Sequence, residues 1–434
     1  WLSLLSWLSH HGMDTDTLWV EPRLASGGYG LFALRSCPPS SLLFTVPGSS
    51  MMNIKTLSPH YYPRLTAVQM VSLHLLLHRP ENDQVSSDPL FGPYISTLPQ
   101  DFDSHPLTRL LREGRGLLGL LPPSSATALE RLASRFHSDL ETVCNYLHEH
   151  LDVLQTSSRS DMPTTDMIQK DNDKFVSEYL WGWLNVNTRC IYHQLTKSRS
   201  DPDNLTLCPI LDFANHTPGR SHMVLDKSDE KKRQNQKHFR VLSSPVGVET
   251  GEEVFLTYGA HCNRTLFVEY GFVLHPSSQK WEDCVVEVLV DDIAEELYQK
   301  KESVGAWMMD ILQTEKYWKD WTLHSHSGSA YLSYRLVTAL RLYELVPKGS
   351  IPPNCEDLIQ CWRLTLSGMQ DEISAENEAA WKRTLGGLCH TMIRRAEIVF
   401  GLGKDIGTDI ETLWREEKYI AQCILDKIHN GEEL

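Results

Sequence analysis

The first sixty residues alternate short apolar runs with turn residues, a pattern typical of β-strands. The runs cover residues 18–20, 27–33 and 42–47, and the glycines and prolines between them favour turns. An apolar segment before them, Trp1 to Leu8, is followed by Gly12. No basic residue precedes it and no small-residue cleavage motif follows, so it predicts an amphipathic helix rather than a signal peptide. The chain does not begin with Met, and its true N-terminus is expected to lie further upstream.

The pattern changes to a helical period after residue 65. Between residues 66 and 78, Val68, Val71, Leu75 and Leu76 fall on one face, which predicts a helix. From Leu129 onward apolar positions recur every three or four residues as far as 154, which predicts a long amphipathic helix. The polar stretch 156–173 predicts a loop, and a further helix is expected over 175–192.

Strand patterns return in the middle of the chain, at 205–207, 238–242 and 254–258. The charged stretch 226–237 lies between two of them and predicts a solvated hairpin loop. A nucleic-acid-binding tail is the weaker alternative, because Asp229 and Glu230 interrupt the basic residues.

After a strand pattern at 284–290, the chain is expected to be helical to its end. One helix is predicted over 331–345, ending before Pro347. Thr408 and Glu411 have the spacing of a capping box at the start of the last helix. Residues 284–434 carry 16 basic and 25 acidic side chains, a net charge of −9. We therefore expect a separate acidic helical domain.

Composition narrows the class of protein. The chain has 434 residues, of which 41% are hydrophobic, enough for a sizeable buried core. Its formal charge of −15 argues against direct binding of duplex nucleic acid, which needs a basic surface. No run of 18 apolar residues occurs, so no membrane-spanning helix is expected. The ten cysteines are scattered, without C-x-x-C spacing. This favours reduced thiols, a cytoplasmic or nuclear location and no zinc cluster.

Four polar or glycine-rich segments stand out from this framework. Each alone has an ordinary structural explanation: a turn, a loop cap or a turn into a strand. Their order along the chain is more specific than any one of them. They are Gly27-Gly28-Tyr29-Gly30, Asn187-Thr188-Arg189, Asp212-Phe213-Ala214-Asn215-His216, and Gly251-Glu252-Glu253 leading to Tyr258-Gly259 and then Tyr270-Gly271-Phe272.

In this order the segments resemble the SET-domain protein methyltransferases, in particular the Rubisco large-subunit lysine methyltransferase type. The resemblance implies an α+β fold: a SET-domain β-fold with a pseudo-knot, split by a helical insertion and followed by an all-α C-terminal domain. On this basis residues 1–62 hold the N-terminal helix and the first part of the SET domain, and 63–174 hold the insertion and a linker. Residues 175–275 hold the second SET part, and 284–434 the helical substrate-binding domain.

The resemblance also implies a cofactor, S-adenosyl-L-methionine, and roles for individual residues. The backbone of Gly27, Gly28, Tyr29 and Gly30 would lie along the methionine part of the cofactor, because only small residues allow so close an approach. Asn215 and His216 would hold its polar groups. Arg189 would contact the cofactor or its carboxylate, a structural salt bridge being the alternative.

Tyr258 is expected to be the catalytic residue, next to the transferred methyl group and also in contact with the cofactor. Methyl transfer to an amine needs an aligned channel and a neutral amine. Deprotonating a lysine at pH 7 costs about 4–5 kcal/mol, and a dry aromatic channel reduces that cost. Ile191, Asp212 and Tyr270 are expected to line this channel. Packing of the two tyrosines in the core is the structural alternative.

Two features of the motifs bear on the substrate. Ile191 is apolar, which suits the aliphatic stem of lysine and offers no partner to an imidazole. The Cys-x-Cys…Cys zinc cluster of the histone-specific branch is absent after Tyr270, so no metal is expected. A protein-lysine N-methyltransferase is therefore the main hypothesis. A protein-histidine methyltransferase and a non-catalytic SET-fold binding protein are the alternatives.

The charge of the C-terminal part indicates the kind of partner. A basic protein substrate, such as a ribosomal protein or a histone, would complement a net charge of −9. The enzyme is expected to be a monomer without a membrane partner.

Overall fold

The computed structural model describes residues 1–434 except 26–27, 82–83, 158, 161–164, 227–237, 277–284, 327, 347–348 and 404. The described chain forms two compact units. The first contains residues 1–104 and 131–260, and the second contains residues 105–130 and 261–434. The four-part division expected from the sequence stays a prediction.

Helices account for most of the regular structure, and their bounds follow the apolar periodicity closely. The N-terminal helix and the helices expected near 66–78 and 175–192 are all present. The long amphipathic helix begins six residues before Leu129. The helices are α1 (Leu2–His10), α2 (Ile54–Leu57), α3 (Ala67–Leu77), α4 (Gly92–Ile95), α5 (Pro106–Glu113), α6 (Pro123–Glu149), α7 (Asp173–Arg189), α8 (Asn263–Thr265), α9 (Asp291–Gln299), α10 (Glu302–Thr314), α11 (Tyr334–Leu345), α12 (Cys355–Leu366), α13 (Ala375–Gly401) and α14 (Thr408–Asn430).

The described strands are short and pair in antiparallel ladders. The strands are β1 (Val20–Ala25), β2 (Gly28–Ala33), β3 (Leu42–Pro47), β4 (Met52–Asn53), β5 (Ile191–Tyr192), β6 (Leu205–Leu207), β7 (Met223–Leu225), β8 (His238–Ser243), β9 (Val286–Leu289), β10 (Thr322–His326) and β11 (Ser329–Leu332). Three small sheets lie in the first unit, with the orders β1-β2, β3-β8-β7 and β4-β6-β5, and one lies in the second, with the order β11-β10-β9.

The strands of the first unit confirm most of the sequence pattern. β7 and β8 pair with Leu225 opposite Val241, so they flank the charged stretch expected to be a hairpin loop, most of which lies outside the described residues. The strand expected over 254–258 is wrong. Residues 253–258 are irregular and make only isolated bridges, from Glu253 to Phe32 and from Leu256 to His216. Its backbone turns from one partner to the other within three residues, which no continuous ladder allows.

Helices α3 and α7 pack against each other inside the first unit. Ten of the eleven residues of α3 are buried, so this helix is enclosed on almost all sides rather than amphipathic. A Cβ at Gly182 of α7 would lie 2.7 Å from the carbonyl oxygen of Ser72, and glycine is what allows the two helix backbones to approach this closely.

A buried polar chain starts from α3. The Tyr61 hydroxyl lies 2.8 Å from His74 Nδ1, and His74 Nε2 lies 3.1 Å from Asp88 Oδ2. Asp88 Oδ2 also accepts a hydrogen bond from the backbone N–H of Phe91. Both ring nitrogens of His74 are therefore used, with Nε2–H donating to the carboxylate and Nδ1 accepting from the tyrosine.

The second unit has its own apolar core, formed by α9 to α14 around Trp321, Trp362 and Trp381. The expectation of an all-helical C-terminal domain needs one correction, because β9, β10 and β11 form a three-stranded sheet there. The capping box at Thr408 is also wrong. Gly407 is the N-cap of α14, and Thr408 is already the first helical residue. The predicted stop of α11 at Pro347 lies outside the described residues.

Two further observations concern the described residues of both units. Among the described residues, no helix combines the length and the apolar character that crossing a membrane requires. The nine cysteines in the described ranges are free thiols; the tenth, Cys284, lies outside them.

Candidate active site

The segment from Gly251 to Tyr258 organises the candidate site in the first unit. Its first part runs beside β2, where Val254 N–H donates to Leu31 O at 2.7 Å. Its second part runs beside residues 214–217, where Leu256 N–H donates to Asn215 O at 2.9 Å and Thr217 N–H donates to Leu256 O at 3.1 Å. The glycine-rich strand β2 and the Asn215-His216 pair are thus held against one short segment that ends at Tyr258.

Gly30 stands where three of these pieces meet. A Cβ at this position would lie 2.8 Å from Asn215 Nδ2 and closer still to Glu253 Oε1, nearer than real Cβ contacts allow. The Asn215 amide nitrogen donates to Glu253 Oε1 at 2.7 Å. The missing side chain of Gly30 therefore leaves room for a hydrogen-bonded pair directly beside the backbone of β2.

Arg189 and Asp212 form a second polar pair. Arg189 Nη1 donates to the Asp212 carbonyl oxygen at 2.5 Å and lies 3.6 Å from its carboxylate. The Tyr94 hydroxyl donates to Asp212 Oδ2 at 3.1 Å. The Asp212 side chain is only 2% exposed, and this desolvation raises the pKa of its carboxyl against the opposing effect of Arg189.

Two buried atoms of this pair have no hydrogen-bond partner among the described residues. They are Arg189 Nε and Asp212 Oδ1. Buried polar atoms are nearly always satisfied in folded proteins, so an unpartnered donor and an unpartnered acceptor within one buried ion pair are unusual. The salt bridge that was the structural alternative for Arg189 is present, yet it leaves Nε unused.

The backbone just before Asp212 is strained. Ile210 is fully buried and has φ of 71°, a left-handed conformation that is rare for a β-branched residue. Such conformations persist only where the surrounding structure enforces them, and they concentrate at functional sites. Here the strain turns the chain into the short helical turn Leu211–Phe213 that carries Asp212.

His216 and Tyr258 are joined by main-chain and side-chain contacts. The Tyr258 N–H donates to His216 Nδ1 at 3.2 Å, so Nδ1 carries a lone pair and the ring proton is on Nε2. The Tyr258 hydroxyl donates to Ala214 O at 2.8 Å. The hydroxyl hydrogen is therefore directed toward this backbone carbonyl oxygen.

The remaining residues expected at the site have different surroundings. Gly28 has φ of 120°, and Tyr29 beside it is 62% exposed on the β1–β2 hairpin. Ile191 is half-buried and pairs with Thr206 in β5–β6. Gly27 lies outside the described residues. Tyr270 belongs to the second unit, at the end of the π-helical turn Leu266–Tyr270, so its place in the channel stays a prediction.

The structure adds two residues to the site that sequence reasoning did not assign. Glu253 contacts Asn215, and Tyr94 contacts Asp212. Glu253 lies within the Gly251-Glu252-Glu253 motif, but 38 positions separate it from Asn215, and nothing in the sequence indicates the pairing. Tyr94 and Asp212 are 118 positions apart.

Comparison with known proteins gives these residues a context. No protein-family model matches the chain. The chain is 26% identical over 430 residues to the ribosomal lysine N-methyltransferase set11 of Schizosaccharomyces pombe, covering 98% of this chain and 97% of that protein. It is 27% identical over 270 residues to human SET domain-containing protein 4, covering 58% of this chain and 54% of that protein.

A solved structure of Rubisco LSMT bound to AdoMet superposes with a TM-score of 0.61 over 99% of this chain and 92% of that chain, at 18% identity. The similarity therefore extends over both compact units, beyond the catalytic motifs that resemble those of SET domain-containing protein 4. The chain is a homologue of the SET-domain methyltransferases and has the fold of Rubisco LSMT.

Proposed function

We propose that the chain is a protein-lysine N-methyltransferase that uses S-adenosyl-L-methionine. The observation that carries the proposal is the convergence of Gly30, Asn215 and His216 on the single segment 251–258, which ends at Tyr258. A relative that the chain matches along almost its full length, at 26% identity, is a ribosomal lysine N-methyltransferase.

The residues of the site fit this cofactor. Gly30 makes room for the Asn215–Glu253 pair directly beside the backbone of β2, and Arg189 Nε is a buried donor without a partner among the described residues. An amino acid carboxylate and ammonium group need such donors and acceptors. We assign Gly27, Gly28, Tyr29 and Gly30 to the methionine part of the cofactor, and Arg189, Asn215 and His216 to its polar groups. The bound cofactor supplies a methyl group on a sulfonium.

Tyr258 is proposed to orient the amine that receives the methyl group. Its hydroxyl hydrogen is held by Ala214 O, so the phenolic oxygen acts as an acceptor toward the amine and as a weak partner of polarised C–H groups. This role requires a rigid oxygen, and the hydrogen bond to the backbone restricts its rotation. Ile191 is proposed as a wall of the channel around the side-chain stem, and Tyr270 keeps the channel role that the resemblance implies.

The proposal for lysine rather than histidine rests on Ile191, whose side chain offers no hydrogen bond to an imidazole. A labelled-methyl transfer assay with candidate basic proteins tests activity, and mass spectrometry of the product identifies the modified residue. We expect a methylated lysine. A methylated histidine would support the first alternative, and no transfer with intact cofactor binding would support the non-catalytic one.

Cofactor binding is tested separately with purified protein. We expect a Kd for S-adenosylhomocysteine in the micromolar range, about −6 to −8 kcal/mol. Asn215→Ala should weaken binding about tenfold, since a polar group of the ligand loses its partner. Asn430→Ala, at the exposed end of α14, serves as the control. Equal affinity of the Asn215 variant and the control would contradict the placement of the site.

We propose a basic protein as the substrate, a ribosomal protein or a histone, because residues 284–434 carry a net charge of −9. The free thiols in the described ranges favour a cytoplasmic or nuclear location. We also propose that the enzyme is a monomer. Comparative proteomics of lysine methylation in cells with and without the gene would identify the substrate.

A further inference from the structure

The contact between Asn215 and Glu253 restricts the orientation of an amide. Asn215 Nδ2 lies 2.7 Å from Glu253 Oε1. A carboxylate accepts hydrogen bonds, so the NH₂ end of the amide must face it. The opposite orientation would place two acceptor oxygens against each other. The orientation of Asn215 is therefore dictated by the chemistry of its partner.

Glu253 is itself held in place by the backbone. It bridges to Phe32 of β2, and the next residue, Val254, donates to Leu31 O. Its carboxylate lies at the point where Gly30 has no side chain. The amide and the carboxylate are thus anchored beside the part of β2 that the proposed function assigns to the methionine part of the cofactor.

The outward end of the amide is unused. No described residue donates a hydrogen bond to Asn215 Oδ1, and Asn215 is only partly buried. An acceptor oxygen held in one direction suits a cationic donor, and the amino acid part of S-adenosylmethionine carries an ammonium group. The adenosine part carries no such cation.

We propose that Glu253 is a positioning residue that locks the Asn215 amide with Oδ1 directed toward the ammonium group of the cofactor. The inference rests on the proposed function. It assigns Glu253 no contact with the reacting atoms: it acts through Asn215. The alternative is that Glu253 only supports the packing of β2 against the segment 251–258.

Binding of two ligands separates these explanations. S-adenosylhomocysteine contains the ammonium group, whereas 5′-methylthioadenosine shares the adenosine and lacks the amino acid. In Glu253→Gln the neutral amide accepts either orientation of Asn215. We expect the Kd for S-adenosylhomocysteine to rise about fivefold or more and that for methylthioadenosine to stay within about twofold, measured by calorimetry. Glu252→Gln is the matched control, because Glu252 is exposed and its carboxylate accepts from the backbone of its neighbour Glu249.

A donor–acceptor exchange gives a second test. Asn215→Asp alone places two carboxylates together and should bind S-adenosylhomocysteine at least about tenfold more weakly. Combining it with Glu253→Gln lets the glutamine donate to one oxygen of the new carboxylate, while the other oxygen faces the ligand. We expect the double variant to regain affinity to within about threefold of the wild-type chain. Circular dichroism and melting temperature show whether each variant is folded.

The outcomes are distinct. Wild-type affinity for S-adenosylhomocysteine in Glu253→Gln, or equal loss of both ligands in a folded variant, overturns the positioning role. Absence of recovery in the folded double variant also overturns it. A wild-type chain that binds neither ligand overturns the proposed function, and this inference with it.

Discussion

At the residue scale, Tyr258→Phe tests the role of the Tyr258 hydroxyl, which donates a hydrogen bond to Ala214 O. Tyr258→Phe keeps the ring and its contact with His216, whose centroid lies 5.1 Å away, but removes the oxygen. We expect the methyl-transfer rate to fall about 100-fold, the scale of losing one preorganised polar group at a reacting centre. The Kd for S-adenosylhomocysteine should change by no more than a few-fold.

Tyr192→Phe is the matched control, because its exposed hydroxyl donates to Arg199 O within the same unit. Single-turnover rates of the two variants give the comparison. If Tyr258→Phe is as active as Tyr192→Phe, Tyr258 is a packing residue.

Gly30→Ala tests whether an added methyl group collides with the Asn215–Glu253 pair beside β2. Its φ lies outside the left-handed region, so alanine meets no backbone strain, and any effect comes from the added methyl group. That methyl would collide with the Asn215–Glu253 pair. We expect Gly30→Ala to weaken S-adenosylhomocysteine binding about tenfold and to lower stability by about 1–3 kcal/mol, as overpacking does.

Gly219→Ala serves as the reference, because its Cβ would lie 3.5 Å from the nearest heavy atom, an ordinary contact. Calorimetry and thermal unfolding give both quantities. Unchanged binding in Gly30→Ala would show that the pair lies away from the cofactor.

At the element scale, helix α14 carries a buried acid that links stability to pH. Burial raises the pKa of Glu417 to about 8; Asp292 adds to the rise, and Arg395 and Arg264 oppose it. Between pH 4.5 and 8 the folded chain keeps a proton that the unfolded chain releases. The free energy of unfolding therefore falls as pH rises through this window, by about 1.4 kcal/mol per pH unit from this group.

Glu417→Gln should reduce that slope, since glutamine keeps the shape and does not ionise. Urea denaturation between about pH 5 and about pH 8 measures it, with the solvent-accessible Glu411→Gln on the same helix as control. Burial also raises the pKa of the adjacent Glu416, so part of the slope should remain. An identical slope in wild type and Glu417→Gln would contradict the prediction.

Helices were predicted well from the sequence because their periodicity is local. The long helix α6 and helix α7 match the apolar spacing to within a few residues. In the sheet of the second unit only β9 was predicted, and β10 was missed because it contains Thr322, His324 and Ser325 rather than an apolar run. Its strands are specified by pairing with β9, more than thirty positions away.

For the candidate site, the sequence indicated individual residues but not the contacts between them. Motif order predicted roles for Gly30, Arg189, Asn215 and His216, which the first unit holds close to the segment 251–258 or to Asp212, and for Tyr258 at the end of that segment. These roles stay predictions. The contacts that orient them depend on distant parts of the chain, and so does the left-handed conformation of Ile210. A pattern of residue types contains no information about such pairings.

At the scale of the whole molecule, we expect no stoichiometric metal. Within the described residues, one group of side chains is close enough to hold an ion: His74, His78 and Asp88. Both ring nitrogens of His74 already take part in hydrogen bonds with Tyr61 and Asp88. Asp88 Oδ2 also accepts a hydrogen bond from the Phe91 N–H, so these groups already have protein partners.

Metal analysis of the purified chain should give far less than one ion per molecule, and a chelator should leave the melting temperature unchanged. One zinc per chain would contradict this prediction. In that case Asp88→Asn should abolish the metal content, whereas Asp14→Asn, at an exposed turn, should not.

Strand β3 has a consequence for synthesis of the chain on the ribosome. Its ladder partner is β8, and Leu42 lies opposite Leu242, so the partner is made two hundred residues later. At about 5–20 residues per second, β3 remains without that partner for roughly 10–40 s. Its apolar residues Leu43, Phe44 and Val46, all buried in the finished fold, stay accessible for that time. The nascent chain should therefore be a chaperone client until residue 243 leaves the exit tunnel.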